Sequence, residues 1–460
     1  MAGKRDLKSR RMAAQMHALA SVRREVRSRD SAHGRKYLRE FNDAFRQYDS
    51  VLSSKQLNEK IAAASTLLVG DYHALAASQR FVTELIERLS QDRRVILGVE
   101  GVLSRDQRIL DAWWRREIPE NELRQRLRFD REWGYDWQPF YELLSSARDH
   151  SEGLYALDCE PRNDLRRIGS RDRHAAAKIS QMRQQHPEAV LIVLFGESHL
   201  APQHLPRVLR ESLPEELALT ILQNVDALYW QAVSVQAAAV SVGDDAVCVF
   251  NSTPLEKYES YRLCFERWNN AADDAPDFTP AIYNLIFSLA RSLGFRLNSP
   301  QNGTQPKFLS DSLPEIVNFT ESASPDLSEE DASRLENQGC IYVAATNTFL
   351  IREFQLLHAA RESARFLYHA CQGMVKHSAH AKLVEDALAD FGASLLSPAV
   401  GSEICADPEQ LLYQSYVAGR IRRASIRRLF LTHLHSEEIA SQVLAAITAP
   451  SEGIKNQQGR

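Results

Sequence analysis

The six cysteines of the 460-residue chain, Cys159, Cys248, Cys264, Cys340, Cys371 and Cys405, are scattered. No CxxC or CxxCH spacing occurs, which removes zinc-ribbon, dithiol-redox and covalent haem-attachment chemistry and leaves reduced, mostly buried thiols as the expectation. No apolar run approaches the roughly 20 residues of a membrane-spanning helix. The N-terminal stretch MAAQMHALASV is interrupted by Gln15 and His17, and no cysteine follows it as a lipid-attachment site. A soluble, cytoplasmic protein is expected. The chain also lacks a serine nucleophile elbow, a phosphate loop, a dinucleotide fingerprint and an internal repeat, which excludes the commonest chemistries of an α/β sheet. Charge of one sign is scarce as well: 56 Lys and Arg stand against 60 Asp and Glu, a net −4, so no specific nucleic-acid partner is expected.

The charge is uneven, however. Residues 1–40 hold twelve Lys or Arg and four Asp or Glu, a local excess of +8. This arm reads as a partly helical, solvated extension, with RNA, anionic lipid or an acidic partner as the alternative. The length supports more than one core. Three parts are expected: a basic arm over 1–50, an α/β domain over 51–250, and a mostly α-helical domain over 251–460 with a linker at about 297–327.

Between residues 66 and 230 short apolar runs alternate with amphipathic segments, the pattern of βαβ units around a parallel sheet. The strands are TLLVG (66–70), VILGVE (95–100), GLYALD (153–158), VLIVLFG (190–196) and ALTILQ (218–223). Runs so uniformly apolar belong to strands covered by helices on both faces. In ASQRFVTELIERLS, Phe81, Val82, Leu85, Ile86 and Leu89 recur at helical spacing. Residues 104–150 exceed a simple crossover and read as a helical insert rich in aromatic and basic residues, either a lid or packing against the sheet. Further on, Thr279 and Pro280 are expected to cap a helix, Ser328 and Asp331 form a capping-box pattern, and IREFQLLHAARESARFLYHAC reads as one long helix.

Ligands of open parallel sheets bind beyond the carboxyl ends of the strands. Here each strand end carries polar residues. Gly70-Asp71-Tyr72-His73 follows the first, Glu100 ends the second, Asp158 ends the third with Glu160 after it, and Gly196-Glu197-Ser198-His199 follows the fourth. In this pattern the glycines allow a sharp turn and close approach of a ligand, while acid and histidine two residues apart share one cleft. Two imidazoles with two or three carboxylates suit Zn, Mn, Fe or Co, which could activate water with a spare carboxylate as general base.

These residues resemble the ChaN-like branch of the superfamily that includes the Tiki and TraB proteins and the erythromycin esterases. The resemblance spans about 65–230 and rests on GDYH and GESH, the glutamate of LGVEGV, and connecting text such as WQPFYELLSSAR, ALDCEPR, RDRHAAAKI and ILQNVDALYW. It implies a parallel α/β fold with a helical insert and a site built from both GxxH histidines and the intervening glutamate. Members include metal-dependent proteases and esterases as well as haem-binding proteins associated with iron uptake. Carried over, the metal set is Asp71, His73, Glu100 and His199, with Glu197 and Glu100 as catalytic carboxylates. The haem alternative uses Tyr72, His73 and His199, and Gly70, Gly196, Asp158 and Glu160 support the site. Asp71 stands where glutamate is more usual.

Three functions follow as expectations. The first is a metal-dependent hydrolase-like protein acting on a small-molecule or peptide substrate, the second a haem-binding protein without catalysis, and the third an inactive scaffold that recruits partners. A homodimer is compatible with each. His377, His380, His433, His435, the RIRRASIRR run and the Glu353, His358, Glu362, His369 series are read as ordinary surface or core groups.

Overall fold

The apolar runs fold as strands in a computed structural model that describes residues 2–29, 36–160, 162, 168–232, 237–269, 276–295, 313–319, 327–372, 379–397, 423–431 and 437–448. The chain divides into two compact units, Arg23–Asp274 and Met1–Val22 with Ala275–Arg460, and the division falls inside the helix Ala2–Arg29.

The first unit is built on an eight-stranded sheet. Its strands are β1 (Ser50–Leu52), β2 (Thr66–Asp71), β3 (Val95–Leu103), β4 (Gly153–Asp158), β5 (Val190–Gly196), β6 (Ala218–Gln223), β7 (Ala239–Ser241) and β8 (Ala246–Val249), in the order β1-β7-β8-β6-β2-β5-β3-β4. From β8 to β4 the pairing is parallel, as the uniform apolar runs require; β7 and β1 add an antiparallel edge that the sequence pattern did not announce. Alternate residues of each strand enter two cores. Leu67, Val69, Val95, Leu97, Ile192 and Leu194 face one, while Leu68, Ile96, Leu191, Val193 and Phe195 face the other. Both faces are therefore dry.

The helix Ala76–Leu89 buries Val82, Leu85 and Ile86, the stripe its spacing foretells. Most of the insert packs rather than gates, since Trp113, Phe129 and Trp137 are buried in the first core. The basic arm also enters this unit. Phe41 and Phe45, one helical turn apart, are buried in the second core from the helix Lys36–Ala44 onward, so this part of the arm is no solvated extension.

The second unit combines helices with a three-stranded sheet. Here β9 (Glu315–Asn318) pairs in parallel with β11 (Thr348–Ile351), which forms a hairpin with β10 (Cys340–Val343). Strand β9 lies within the stretch 297–327 read as linker, because its backbone completes the edge of β11. The helix Thr279–Leu293 buries Ile282, Leu285, Ile286, Leu289 and Leu293. Thr279 does not cap it: Phe278 is the N-cap residue, and Asp277 accepts from the Thr279 N–H at 2.8 Å. Ser328 does cap its helix. The long helix expected from Ile351 starts only at Leu356, since Ile351 ends β11. Glu362 is fully buried but satisfied by Arg334, Arg365 and the Tyr342 N–H. His377, His433 and His435 lie outside the described residues.

Candidate active site

Strand order brings the chemistry together. The chain runs from β2 out to β3 and β4, then returns to place β5 between β2 and β3. In this register Asp71 lies opposite Gly196, so both Gly-acid-x-His motifs leave the sheet side by side. β3 continues to Leu103, past its expected end at Glu100, and its pairing with β4 shifts between Val99 and Leu103. Such an irregularity re-aims side chains, and Glu100 lies within it.

Asp71 orients His73. Its Oδ2 lies 2.9 Å from His73 Nδ1, while Oδ1 accepts from Gln79 Nε2 at 2.8 Å. His73 Nε2 then faces Glu100 Oε2 at 3.8 Å. On the other side His199, on the short 3₁₀ turn Glu197–Leu200, is held through Nδ1 by Asp172 Oδ1 at 2.5 Å and presents Nε2 to Glu100 Oε1 at 3.9 Å. Two carboxylate-held imidazoles thus flank one glutamate. A carboxylate at Nδ1 fixes the ring's tautomer and raises the basicity of the other nitrogen.

Glu100 is buried and fully engaged. Oε1 pairs with Arg171, and Oε2 accepts from the Gly196 N–H. Burial would push its carboxyl up, but Arg171, then His73 and His199, outweigh burial and hold it at about 2. For His73, burial opposes protonation; Asp71 and Glu100 outweigh it and raise the imidazole above its ordinary value. Gly196 has ordinary backbone (φ −50), so the turn does not require glycine. The site does: a Cβ there would lie 2.9 Å from Glu100 Oε2 and 3.2 Å from His73 Nε2. A Cβ at Gly70 would find nothing closer than 3.5 Å, an ordinary contact.

The remaining predicted residues are placed elsewhere. Asp158 is buried in an electrostatic frame, accepting from Arg171 Nε at 2.7 Å and Arg162 Nε at 2.6 Å. Glu160 pairs with Arg105 and is half exposed. The Glu197 carboxylate is held by Lys257 Nζ, 2.9 Å from each oxygen, and that ammonium lies 4.5 Å from the centre of the Tyr72 ring. Burial disfavours the Lys257 cation, but Glu197, Asp226 and Tyr258 outweigh it, so Lys257 keeps its proton.

Above these groups lies a cleft of about 580 Å³. It is lined by Tyr37, Tyr72, Tyr135, Tyr258 and Tyr261 together with His73, and Glu197 and Lys257 also border it. From the insert, Trp133 and Tyr135 approach the His73 ring at 4.4 and 5.2 Å, so this small part of the insert does reach the site.

Sequence reasoning missed Arg171, Asp172 and Lys257. The first two had a signal. On the helix Ile168–Gln185 the buried positions are Ile168, Arg171, Asp172, Ala175, Ala176, Ile179 and Met182, so an Arg-Asp pair occupies the apolar stripe. Charges there must be paired. Lys257, on Pro254–Asn269, lies 60 residues beyond Glu197 and had none.

Residues 57–199 match the model of the family described as haem-binding uptake, Tiki superfamily, ChaN. A structure of ChaN of Campylobacter jejuni with cofacial haem binding is similar at 14% identity and a TM-score of 0.29, covering 38% of this chain and 87% of that one. The type III effector HopBA1 is similar at 14% identity and a TM-score of 0.32, covering 45% of this chain and 96% of that one. Neither likeness bears on the chemistry of the site. No curated protein matches the chain.

Proposed function

With a ChaN-like domain of the Tiki superfamily at residues 57–199 as the premise, we propose that the α/β unit is a hydrolase-type acid–base site acting on an ester or peptide bond of a substrate seated in the tyrosine-lined cleft. One observation carries this reading. His73 borders the cleft with Nδ1 held by Asp71 and Nε2 beside an ionised, buried Glu100. Such a ring can take a proton from water at Nε2, and Glu100 favours the imidazolium that results. Asp71 keeps the tautomer in which Nε2 is the free base. Lys257 and the phenols supply donors for the charge that develops on the substrate oxygen.

A divalent metal on Asp71, His73, Glu100 and His199, the form the sequence suggests, fits this donor set poorly. Both oxygens of Glu100 and both of Asp71 are already engaged, and a guanidinium sits on the central carboxylate where it would repel a dication. Among the described residues no three His, Cys, Asp or Glu groups stand together as a metal-holding set. No step is therefore routed through a metal.

Haem binding is the second reading, favoured by the aromatic cleft. Of its three candidate ligands, Tyr72 and His73 border the cleft, whereas His199 lies buried beneath it with Nδ1 committed to Asp172. Phenolate and imidazole are both donors that haem iron accepts. An amphipathic planar ligand also suits a cleft of mixed rings and charges.

The test is turnover of a panel of aryl esters and peptides with and without chelator, comparing the wild type with His73→Gln and Glu100→Gln. Each substitution should lower kcat by about 10²-fold or more, with chelator inert. Unchanged turnover in His73→Gln sinks the acid–base reading. No turnover, together with a Soret shift on haem addition that is lost in His73→Ala or Tyr72→Phe, replaces it with the second. If neither activity nor haem binding is found, the scaffold reading stands.

A further inference from the structure

The helix Lys36–Ala44 lies outside the stretch that matches the family model, yet it delivers one side chain to the site's interior hydrogen-bond chain. Tyr37 donates its hydroxyl to Asp172 Oδ2 at 2.5 Å. Asp172 is almost fully buried and uses its other oxygen on His199 Nδ1, also at 2.5 Å. His199 in turn faces Glu100. Tyr37, Asp172 and His199 thus form one hydrogen-bonded chain from the cleft wall, and its last imidazole ends 3.9 Å from the central glutamate.

We infer that Tyr37 is a positioning residue of this site: by donating to Asp172 it fixes the carboxylate that holds His199 toward Glu100. The claim rests on the acid–base reading for its catalytic consequence, but not for its geometry. A buried carboxylate left with an empty oxygen loses a charge-assisted bond and gains rotational freedom about its Cβ–Cγ bond. The Tyr37 hydroxyl removes both costs. The phenol is itself held firmly. Its ring stacks on His204 with centroids 3.5 Å apart and planes 13° from parallel, and Phe41, one turn on, is buried in the core. His199 is further confined by the Phe195 ring at 4.9 Å and the edge of Tyr37 at 5.8 Å. The ring thus meets the same tyrosine by packing and through the carboxylate.

Tyr37→Phe isolates the hydroxyl, since the phenyl ring keeps the stack on His204. The readout that needs no substrate is NMR of the full chain labelled with ¹⁵N-histidine. The wild type should show a downfield Nδ1–H resonance that disappears in His199→Gln. In Tyr37→Phe, and in the isosteric Asp172→Asn, that resonance should move upfield or broaden. If the wild type turns over an ester, Tyr37→Phe should lower kcat by about 10–100-fold with little change in KM, because His199 would no longer be fixed against the Glu100 that lies beside His73. A wild type without such a resonance, or a resonance unmoved in a folded Tyr37→Phe, overturns the positioning role whatever the turnover. A shifted resonance in a protein that turns over no substrate supports the positioning and removes the hydrolase reading instead.

Discussion

Replacing Arg171 with methionine should destabilise the Arg23–Asp274 unit by about 3 kcal/mol at pH 7. The guanidinium is buried and reaches two buried carboxylates, Glu100 and Asp158, the latter at 2.7 Å. At an effective dielectric of about 20, an ion pair near 3 Å gains roughly 5 kcal/mol before desolvation is counted. Desolvation of the guanidinium offsets most of that, and what remains is the penalty of leaving an anion buried and unpaired, about 3–5 kcal/mol. Arg162 still satisfies Asp158 in the variant, so the loss concentrates on Glu100 and falls at the lower end. The melting temperature should drop by roughly 6–12 °C. The sign of the pH dependence follows from Glu100, held at about 2 against an ordinary 4.5. A depressed carboxyl contributes stability that is present above 4.5 and lost as pH falls toward 2. Without Arg171, burial is opposed only by His73, His199 and the Gly196 N–H, so the Glu100 carboxyl rises. The gap between wild type and variant should therefore be widest near neutrality and narrow on acidification. Denaturant unfolding at pH 7 and pH 4 measures both, and adding Glu100→Gln to the variant should recover much of the loss. A gap below about 1 kcal/mol at pH 7, or one that widens toward pH 4, would refute the reasoning.

Three other outcomes are expected. Gly196→Ala should lower turnover at least about tenfold, because the new methyl meets Glu100 and His73, both already pinned, while Gly70→Ala should stay near wild type in turnover and melting temperature. The His73 ring should titrate above 6.5 when followed by its Cε1–H resonance, and lower than in the wild type once Asp71→Asn removes the partner; the stability this pair adds is present below 6.5 and disappears as pH rises through the folded value. Lys257→Met should cost about 3 kcal/mol in urea unfolding by stranding Glu197, and Lys257→Met with Glu197→Gln should cost far less; equal costs would show that Glu197 is solvated.

Much of the fold was legible because burial on both faces writes unbroken apolar runs. All five proposed strands are present, and Val82, Leu85 and Ile86 lie where helical spacing placed them. The site was legible in part for a related reason: polar residues at the ends of such strands have few structural duties. What failed was whatever depended on partners distant in sequence. Glu197 looked equivalent to Asp71, each directly after its glycine, yet the carboxylate of Glu197 went to Lys257 and that of Asp71 to its own histidine. Glycine was read at both positions as allowing a sharp turn and the close approach of a ligand, whereas Gly196 matters because the protein's own Glu100 and His73 crowd it and a Cβ at Gly70 would make only ordinary contacts.

Taken alone, the sequence determined the parallel strands, the amphipathic helices between them, and that Asp71, His73 and His199 stand at strand ends; Glu100, expected there too, lies inside β3. These follow from periodicity, which is local. Only the tertiary structure decided that β5 lies between β2 and β3, that Glu100 sits between two imidazoles, and that Arg171, Asp172, Lys257 and Tyr37 complete the surroundings. Strand order and the pairing of buried charges depend on which distant segments meet, and no local pattern records that.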